Sequence, residues 1–153
     1  MIKFIDGNIF DSNANIICHQ CNNLGAFNSG IAREVRERYP AVYQSYLEDY
    51  QAGKLELGYV NFTTAEPRRM IANMIAQNGY GYDGKRYTDY VALQKCLKEV
   101  RQFALMEYDV QPVIAFPYMM SCVRGGGDWN VVYNMIENTF DKFDIEIWRF
   151  DNG

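Results

Sequence analysis

The sequence predicts an α/β domain built on a mixed, largely parallel sheet. Short apolar runs, each long enough for one strand, alternate along the chain with segments whose apolar residues recur at helical spacing. This alternation is typical of layered α/β domains. The chain has 153 residues, enough to bury a core and few enough for one unit, so we expect a single domain over residues 1–153.

The strands are predicted from apolar runs that are bounded by turn residues. They cover Ile2–Ile5, Asn15–His19, Tyr59–Thr63, Met70–Ala76, Val113–Phe116 and Ile145–Phe150. A turn that contains Pro67 joins the third run to the fourth. We therefore expect these two strands to be neighbours in the sheet.

The helices are predicted from apolar residues that lie three and four positions apart. They comprise Ser29–Arg38, a second helix that Pro40 opens, a long helix capped by Thr88 and a last helix capped by Asp128. Proline fits the first position of a helix because its missing N–H is not needed there. Threonine and aspartate are suitable caps because their side-chain oxygens accept a hydrogen bond from the first turn.

Composition and charge narrow the function classes. The net charge of −4 argues against a general nucleic-acid binder, which needs a basic excess to displace counterions. The sequence has no apolar run near the roughly 20 residues that a membrane span needs, and no signal-peptide core at its start. We therefore expect a cytoplasmic protein with reduced cysteines. The 12 tyrosines belong either to the core and its rim or to a cleft in which they stack on a nucleoside.

Residues 16–33 form the most informative segment. An apolar run ends in polar residues, crosses a loop and opens a helix. Backbone N–H groups and a helix N-terminus around one space favour an anion site. Gly25 and Gly30 let the backbone approach a ligand, and His19 at the mouth of the loop suits acid–base work near neutral pH. The alternative is an ordinary connection between a strand and a helix.

A second glycine-bearing loop, Ser121–Asp128, follows the fifth predicted strand. Because ligands of such folds bind at the carboxyl ends of strands, we expect this loop to close over the same anion. Two such loops indicate a ligand with more than one phosphate. Arg124 is either a phosphate clamp or a solvated loop charge.

Two cysteine patterns are weaker signals. Cys18-x-x-Cys21 has the spacing of a redox motif, which needs a thiolate at a helix N-terminus. The next predicted helix begins only at Ser29, and a continued strand would turn the two side chains to opposite faces. A zinc site made from these cysteines, His19 and Cys122 lacks a second spaced pair.

The segment Gly79–Gly84 fits the G-x-G-x-x-G pattern and follows a predicted strand. A dinucleotide fingerprint requires a helix that opens within the motif, whereas here Lys85, Arg86 and Tyr87 intervene. A nicotinamide site is therefore disfavoured. Tyr80 or Tyr82 of this loop remains a candidate cover for a bound ribose.

Four blocks of the sequence resemble the macrodomain family, which binds ADP-ribose. They are residues 7–10, 16–32, 71–77 with the tyrosine-rich loop that follows, and 117–129, in the order of the family. His19, Gln77 and the Gly126–Trp129 block are most similar to the branch of ADP-ribose-1″-phosphate phosphatases and ADP-ribosyl hydrolases. The resemblance implies a three-layer α/β/α fold with a cleft over the sheet.

The resemblance also implies a set of site residues. Asn8, which replaces the usual aspartate, would face adenine, and Asn22 would contact the distal ribose. His19, Asp128 and Asn22 form the implied catalytic set. The implied ligand-binding residues are Asn8, Ile9, Gly25, Ser29, Gly30, Ile31, Gln77, Tyr80, Ser121, Val123, Arg124, Gly125 and Gly126. Ser121 and Val123 stand where glycines are common in the family.

The implied reaction is hydrolysis of a terminal phosphate or an ester-linked group from an ADP-ribose derivative, without a metal or another cofactor. Gln77 stands where a related subgroup has a lysine nucleophile, so water attack is favoured over a covalent route. His19 would act as acid or base, Asp128 would orient water or His19, and loop amides would stabilise the developing charge.

The implied partner is ADP-ribose, a derivative of it, or an ADP-ribosylated macromolecule. Two other classes stay open: a reader that binds ADP-ribose without chemistry, and a nicotinamide-dependent oxidoreductase.

Overall fold

A computed structural model describes residues 1–81, 83–123 and 125–150 and shows a mixed sheet between two layers of helices. The strands are β1 (Ile2–Asp6), β2 (Ile16–Asn22), β3 (Val60–Glu66), β4 (Arg69–Gln77), β5 (Ile114–Pro117) and β6 (Ile145–Arg149). In the described residues their order is β1-β6-β5-β2-β4-β3. Every neighbouring pair is parallel except β3 and β4. The predicted mixed, largely parallel sheet is confirmed, and so is the neighbouring pair around Pro67.

Four helices of the described residues cover the two faces of the sheet. They are α1 (Gly30–Arg38), α2 (Pro40–Gln51), α3 (Tyr90–Glu107) and α4 (Trp129–Thr139). The first two pack on one face and the last two on the other. No helix within the described ranges is long and apolar enough to cross a membrane.

The central strand β2 shows why both faces are covered. Ile17 and Cys21 pack in the layer of α1 and α2, whereas Ile16 and Cys18 pack in the layer of α3 and α4. Successive side chains of a strand point to opposite faces, and a strand buried on both faces needs apolar residues on each. The near-continuous apolar run of this segment therefore fits its central position.

One predicted helix cap is wrong. Asp89 caps α3 by accepting a 2.9 Å hydrogen bond from the N–H of Ala92. Thr88 instead pairs with Gln77 in an isolated bridge and donates its hydroxyl to the Ser121 carbonyl at 2.8 Å. Both residues have cap-forming side chains, and the bridge to β4 decides between them.

The connections of β2 and β5 diverge at the edge of the sheet. β2 leads to α1 on one face, and its neighbour β5 leads to α4 on the other. A crevice opens at the carboxyl ends of two strands whose connections part in this way, and such crevices are the usual ligand sites of α/β folds.

Candidate functional site

A cavity of about 430 Å³ lies at the carboxyl ends of β2 and β5. The first loop (residues 23–29) and the start of α1 form one wall. The second loop, which in the structure begins directly after β5 and is described over residues 118–123 and 125–128, forms another. Ten of the residues implied by the resemblance line it: His19, Asn22, Ser29, Gly30, Ile31, Gln77, Tyr80, Ser121, Val123 and Gly125. The two glycine-bearing loops therefore meet at one space, as their sequence positions indicated.

Asn8 and Ile9 do not belong to this lining. Asn8 caps a short 3₁₀ helix, because its Oδ1 accepts from the N–H of Phe10 at 2.9 Å and its Nδ2 donates to Glu34 at 3.3 Å. Ile9 is buried in the core beneath α1 and α2. Their contact with adenine stays a prediction.

The other implied residues outside the lining shape the loops. Gly25 has φ +79°, and a Cβ there would lie 2.8 Å from the Tyr50 ring. Gly126 has φ +70°, and a Cβ there would lie 2.7 Å from the Lys85 carbonyl oxygen. Asp128 caps α4 by accepting from the N–H of Asn130 at 2.8 Å, which confirms its predicted cap. Arg124 and Tyr82 lie outside the described residues.

Asn22 organises the first loop from the end of β2. Its Oδ1 accepts from the N–H of Leu24 at 2.9 Å, and its Nδ2 donates to the Ala26 carbonyl at 2.9 Å. The hydroxyl of Tyr46 on α2 donates to the Asn22 carbonyl at 2.7 Å and accepts from the N–H of Gly25 at 3.1 Å. Tyr46 has no exposed surface, and it was not among the predicted site residues.

The N-terminus of α1 is the positive pole of the cavity. Ser29 stands at the cap position, but its side chain makes no capping hydrogen bond within the described structure. The first N–H groups of a helix have no intrahelical acceptor, and those of Gly30, Ile31 and Ala32 belong to residues that line the cavity. No lysine or arginine is among the described lining residues. Backbone amides therefore provide the anion-binding character of this wall.

The second loop carries two residues with left-handed backbones, Met119 (φ 61°) and Ser121 (φ 74°). Non-glycine residues rarely adopt this region. The Ser121 hydroxyl donates to Gln20 Oε1 at 2.6 Å, and the Ser121 carbonyl accepts from the Thr88 hydroxyl at 2.8 Å. Glycine adopts a left-handed conformation without strain, which explains why the resemblance implies glycine at position 121. In this chain the two hydrogen bonds hold Ser121 in that conformation.

Two glutamines form the polar floor between the loops. Gln20 Nε2 donates to the Thr88 hydroxyl at 2.8 Å and lies 3.3 Å from Gln77 Oε1. Gln77 Nε2 donates to the Gly79 carbonyl at 3.0 Å. Gln20 and Thr88 were not among the predicted site residues. Only their positions in the sequence could have indicated this role: Gln20 directly follows His19, and Thr88 follows the tyrosine-rich loop.

His19 lies at the base of the cavity with 2 % of its surface exposed. Its Nε2 lies 2.6 Å from Asn73 Oδ1, and its ring meets the Phe27 ring edge-on at 5.4 Å. Burial lowers the pKa of His19 to about 4, against the opposing effect of the Asn73 hydrogen bond. The imidazole is therefore neutral at pH 7. Among the described residues its shortest hydrogen bond is to Asn73, and the Cys21 sulfur also lies 3.5 Å from Nε2 and 3.8 Å from Nδ1.

The cysteines do not form a reactive site. Cys18 and Cys21 are free and buried on opposite faces of the sheet, and burial raises the pKa of both thiols well above its ordinary value. A reactive cysteine needs the opposite shift. No group of three or more metal-ligating side chains occurs in the part of the chain that the structure describes.

Comparison with solved structures identifies the fold. The macrodomain of Mycobacterium tuberculosis DarG superposes with a TM-score of 0.82 at 18% sequence identity, over 97% of both chains. The chain has the fold of a macrodomain. No family model matches the sequence.

Two curated relatives support the resemblance that the sequence blocks indicated. The chain is 22% identical to a DNA ADP-ribosyl glycohydrolase of Thermus aquaticus over 99% of its own length and 41% of that protein. It is 34% identical to an ADP-ribose 1″-phosphate phosphatase of Aspergillus oryzae over 43% of its own length and 32% of that protein. The chain thus spans less than half the length of either relative. The predicted resemblance to macrodomains is confirmed.

Proposed function

We propose that this macrodomain binds ADP-ribose, or a derivative of it, in the cavity between the first and second loops. The observation that carries the proposal is the meeting of both loops and the uncapped start of α1 at one cavity of about 430 Å³. Small-molecule sites have volumes of about 300–1,000 Å³. A diphosphate next to Gly30 and Ile31 would accept the amide hydrogen bonds that the Ser29 side chain does not accept.

The ends of the cavity fit a nucleotide sugar. Tyr80, half exposed on the loop after β4, offers an aromatic face at the rim. Asn22 and Gln77 line the floor and carry amide groups suited to hydroxyls. One curated relative is named a DNA ADP-ribosyl glycohydrolase and the other an ADP-ribose 1″-phosphate phosphatase, and both names contain an ADP-ribose moiety.

Calorimetry with ADP-ribose, AMP and NAD tests the binding proposal. We expect ADP-ribose to bind most tightly, because AMP lacks one phosphate and the distal ribose. A preference for NAD would instead support the oxidoreductase class. Absence of binding by all three would contradict the proposal.

We also propose hydrolysis of a terminal phosphate or an ADP-ribosyl linkage by water. The neutral imidazole of His19 is suited to accept a proton or a hydrogen bond. Asp128 stays a proposed water-orienting residue, although its carboxylate is engaged by the N–H of Asn130. Gln77 at the end of β4 has no nucleophilic group, which supports a route without a covalent lysine intermediate.

Phosphate release from ADP-ribose-1″-phosphate, and release of ADP-ribose from modified DNA, test the reaction. We expect His19→Ala and Asp128→Ala to lower turnover, and the exposed Asp141→Ala to leave it unchanged as a matched control. Wild-type turnover in both site variants would contradict the assigned roles. Binding without release by the wild-type protein would favour a reader of ADP-ribose. The cytoplasmic location and the single-domain organisation stay predictions.

A further inference from the structure

Three polar side chains cross the sheet in one row beneath α1 and α2. His19 on β2 is the register partner of Asn73 on β4, which is in turn the partner of Asn61 on β3. Their side chains are 2 %, 0 % and 4 % exposed. His19 Nε2 lies 2.6 Å from Asn73 Oδ1, and Asn73 Nδ2 donates to Asn61 Oδ1 at 2.9 Å. The row thus leads from the cavity to the far edge of the sheet.

The row ends on a carboxylate. Asp49 on α2 accepts from Asn61 Nδ2 at 2.7 Å and from the hydroxyl of Tyr59 at 2.7 Å. Asn61 Nδ2 also donates to the Ser45 hydroxyl at 3.1 Å. An ionised carboxylate only accepts hydrogen bonds. Asn61 must therefore turn its Nδ2 toward Asp49 and its Oδ1 toward Asn73.

The orientation of Asn61 determines that of the next residue. Because Asn61 Oδ1 only accepts, Asn73 must turn its Nδ2 toward it, which leaves Asn73 Oδ1 to face the histidine. A carbonyl oxygen cannot donate, so His19 Nε2 must carry a proton. In a neutral imidazole the other nitrogen, Nδ1, is then unprotonated and can only accept a hydrogen bond.

We propose that Asp49, Asn61 and Asn73 are positioning residues that hold His19 as its Nε2–H tautomer, so that His19 offers only the acceptor Nδ1 to a ligand. This subsite takes a hydroxyl group or a water molecule and disfavours an unprotonated phosphate oxygen. The tautomer is independent of any ligand. Its use by a ligand rests on the proposed function.

The surroundings of the ring support this assignment. The low pKa that burial gives His19 keeps the ring neutral, as the row requires. The Cys21 sulfur lies 3.5 Å from Nε2 and 3.8 Å from Nδ1. It adds no charge because burial raises the pKa of the thiol, and a thiol is only a weak hydrogen-bond donor to Nδ1. Polar groups buried in an apolar layer destabilise a protein unless each is paired. Here every side chain of the row is paired, and the row ends at His19, which lines the cavity.

The sequence contains 1 histidine, so a ¹⁵N spectrum of its ring reports on His19 alone. In the ligand-free wild-type protein at pH 7 we expect a protonated Nε2 and an unprotonated Nδ1. A protonated Nδ1 would overturn the proposal without any variant, so the test does not depend on a variant that folds.

Variants then show whether the tautomer of His19 is set by the hydrogen bonds of the row or by burial alone. Asp49→Leu removes the anchor at a half-buried site, and Asn73→Leu removes the acceptor itself. We expect both to lose the single tautomer and to give mixed ring signals. Asp49→Asn keeps an acceptor oxygen and should restore the wild-type spectrum. Glu48→Leu, which removes an exposed carboxylate from the same helix, is the matched control and should leave it unchanged. Wild-type spectra in both Asp49→Leu and Asn73→Leu would overturn the proposal that the row sets the tautomer of His19.

Saturating ADP-ribose tests the role of Nδ1. We expect the Nδ1 resonance to shift toward the hydrogen-bonded position while Nε2 keeps its proton. An unshifted Nδ1 in the bound protein would overturn the ligand part of this inference. If calorimetry shows no ADP-ribose binding, the proposed function fails. The tautomer measured in the free protein still tests whether Asp49, Asn61 and Asn73 position His19.

Discussion

The Ser121 hydroxyl donates a 2.6 Å hydrogen bond to Gln20 Oε1 and so ties the second loop to β2. Ser121 has φ 74°, a left-handed conformation that costs an L-residue roughly 1–2 kcal/mol. Its side chain is therefore one of the connections that hold a strained residue at the wall of the cavity, beside the bond from the Thr88 hydroxyl to its carbonyl. The left-handed backbone of Ser121 is unfavourable for any L-residue, and the hydrogen bond of its own side chain offsets that cost.

This relationship predicts different effects for two small substitutions. Ser121→Ala loses the hydrogen bond and keeps the strain, whereas Ser121→Gly loses the bond but relieves the strain. We expect both variants to be less stable than the wild type, and the alanine variant to be about 1 kcal/mol less stable than the glycine variant. Urea unfolding monitored by tryptophan fluorescence gives the two free energies of unfolding.

Ser45 provides the matched comparison. It lies inside α2, where glycine is about 1 kcal/mol less favourable than alanine, so the order of the two variants should be reversed. Equal stabilities of Ser121→Ala and Ser121→Gly would show that the backbone of Ser121 is unstrained.

The order of the elements and the meeting of the two loops were predictable from the sequence. Each strand is a local apolar run and each helix a local periodicity, so neither needs long-range information. In a largely parallel sheet, the loops that follow β2 and β5 share one edge. The exact first residue of a helix was not predictable in the same way, as Thr88 and Asp89 show, because two adjacent residues can both cap a helix.

The polar row was not predictable in this way. Asn73 lies in a segment that simply predicts a buried strand, and Asn61 lies in another. Their contact with His19 depends on the register of three strands, and a shift of one residue would turn every side chain to the other face. The contacts of Asn8 were not predictable either. The resemblance implies that Asn8 faces adenine, whereas in the structure its side chain caps the 3₁₀ helix and donates to Glu34.

The start of α1 gives a second prediction. Ser29→Asp supplies the missing cap and should raise the free energy of unfolding by about 1 kcal/mol. The new carboxylate would also occupy the amides of the cavity wall and repel a diphosphate. We expect ADP-ribose affinity to fall at least about tenfold, equivalent to about 1.4 kcal/mol, by calorimetry.

Ser29→Asn is the neutral control for that variant. It should give a similar gain in stability with a smaller loss of affinity, because it caps the helix without adding charge. If Ser29→Asp gained stability and bound ADP-ribose as the wild type does, the diphosphate would not lie at the start of α1.

The four cysteines give a third prediction. Burial raises the pKa of all four thiols, that of Cys122 to about 11 and that of Cys96 to about 12. Thiolate is the reactive form, so we expect slow labelling by a disulfide reagent at pH 8, with the partly exposed Cys122 reacting first. The unfolded chain should react rapidly at all four positions. Rapid labelling of Cys18 or Cys21 in the folded protein would revive the redox interpretation.

His19 predicts how stability depends on pH. Its pKa falls from the ordinary 6.5 to about 4 on folding, so the unfolded chain binds more protons between these values. Stability is therefore full above pH 6.5 and decreases as the pH falls toward 4. Each pH unit in this window removes about 1.4 kcal/mol, which gives a total near 3 kcal/mol.

His19→Gln isolates this contribution, because glutamine keeps a donor for Asn73 and does not titrate. The difference in free energy of unfolding between wild type and variant should be constant above pH 6.5 and should shrink below it. Carboxylates such as Asp6 and Asp83, whose pKa values are also lowered in the fold, titrate in both proteins and cancel in this difference. A difference that stayed constant down to pH 4 would mean that His19 keeps its ordinary pKa. Burial would then not be what keeps the imidazole neutral below pH 6.5.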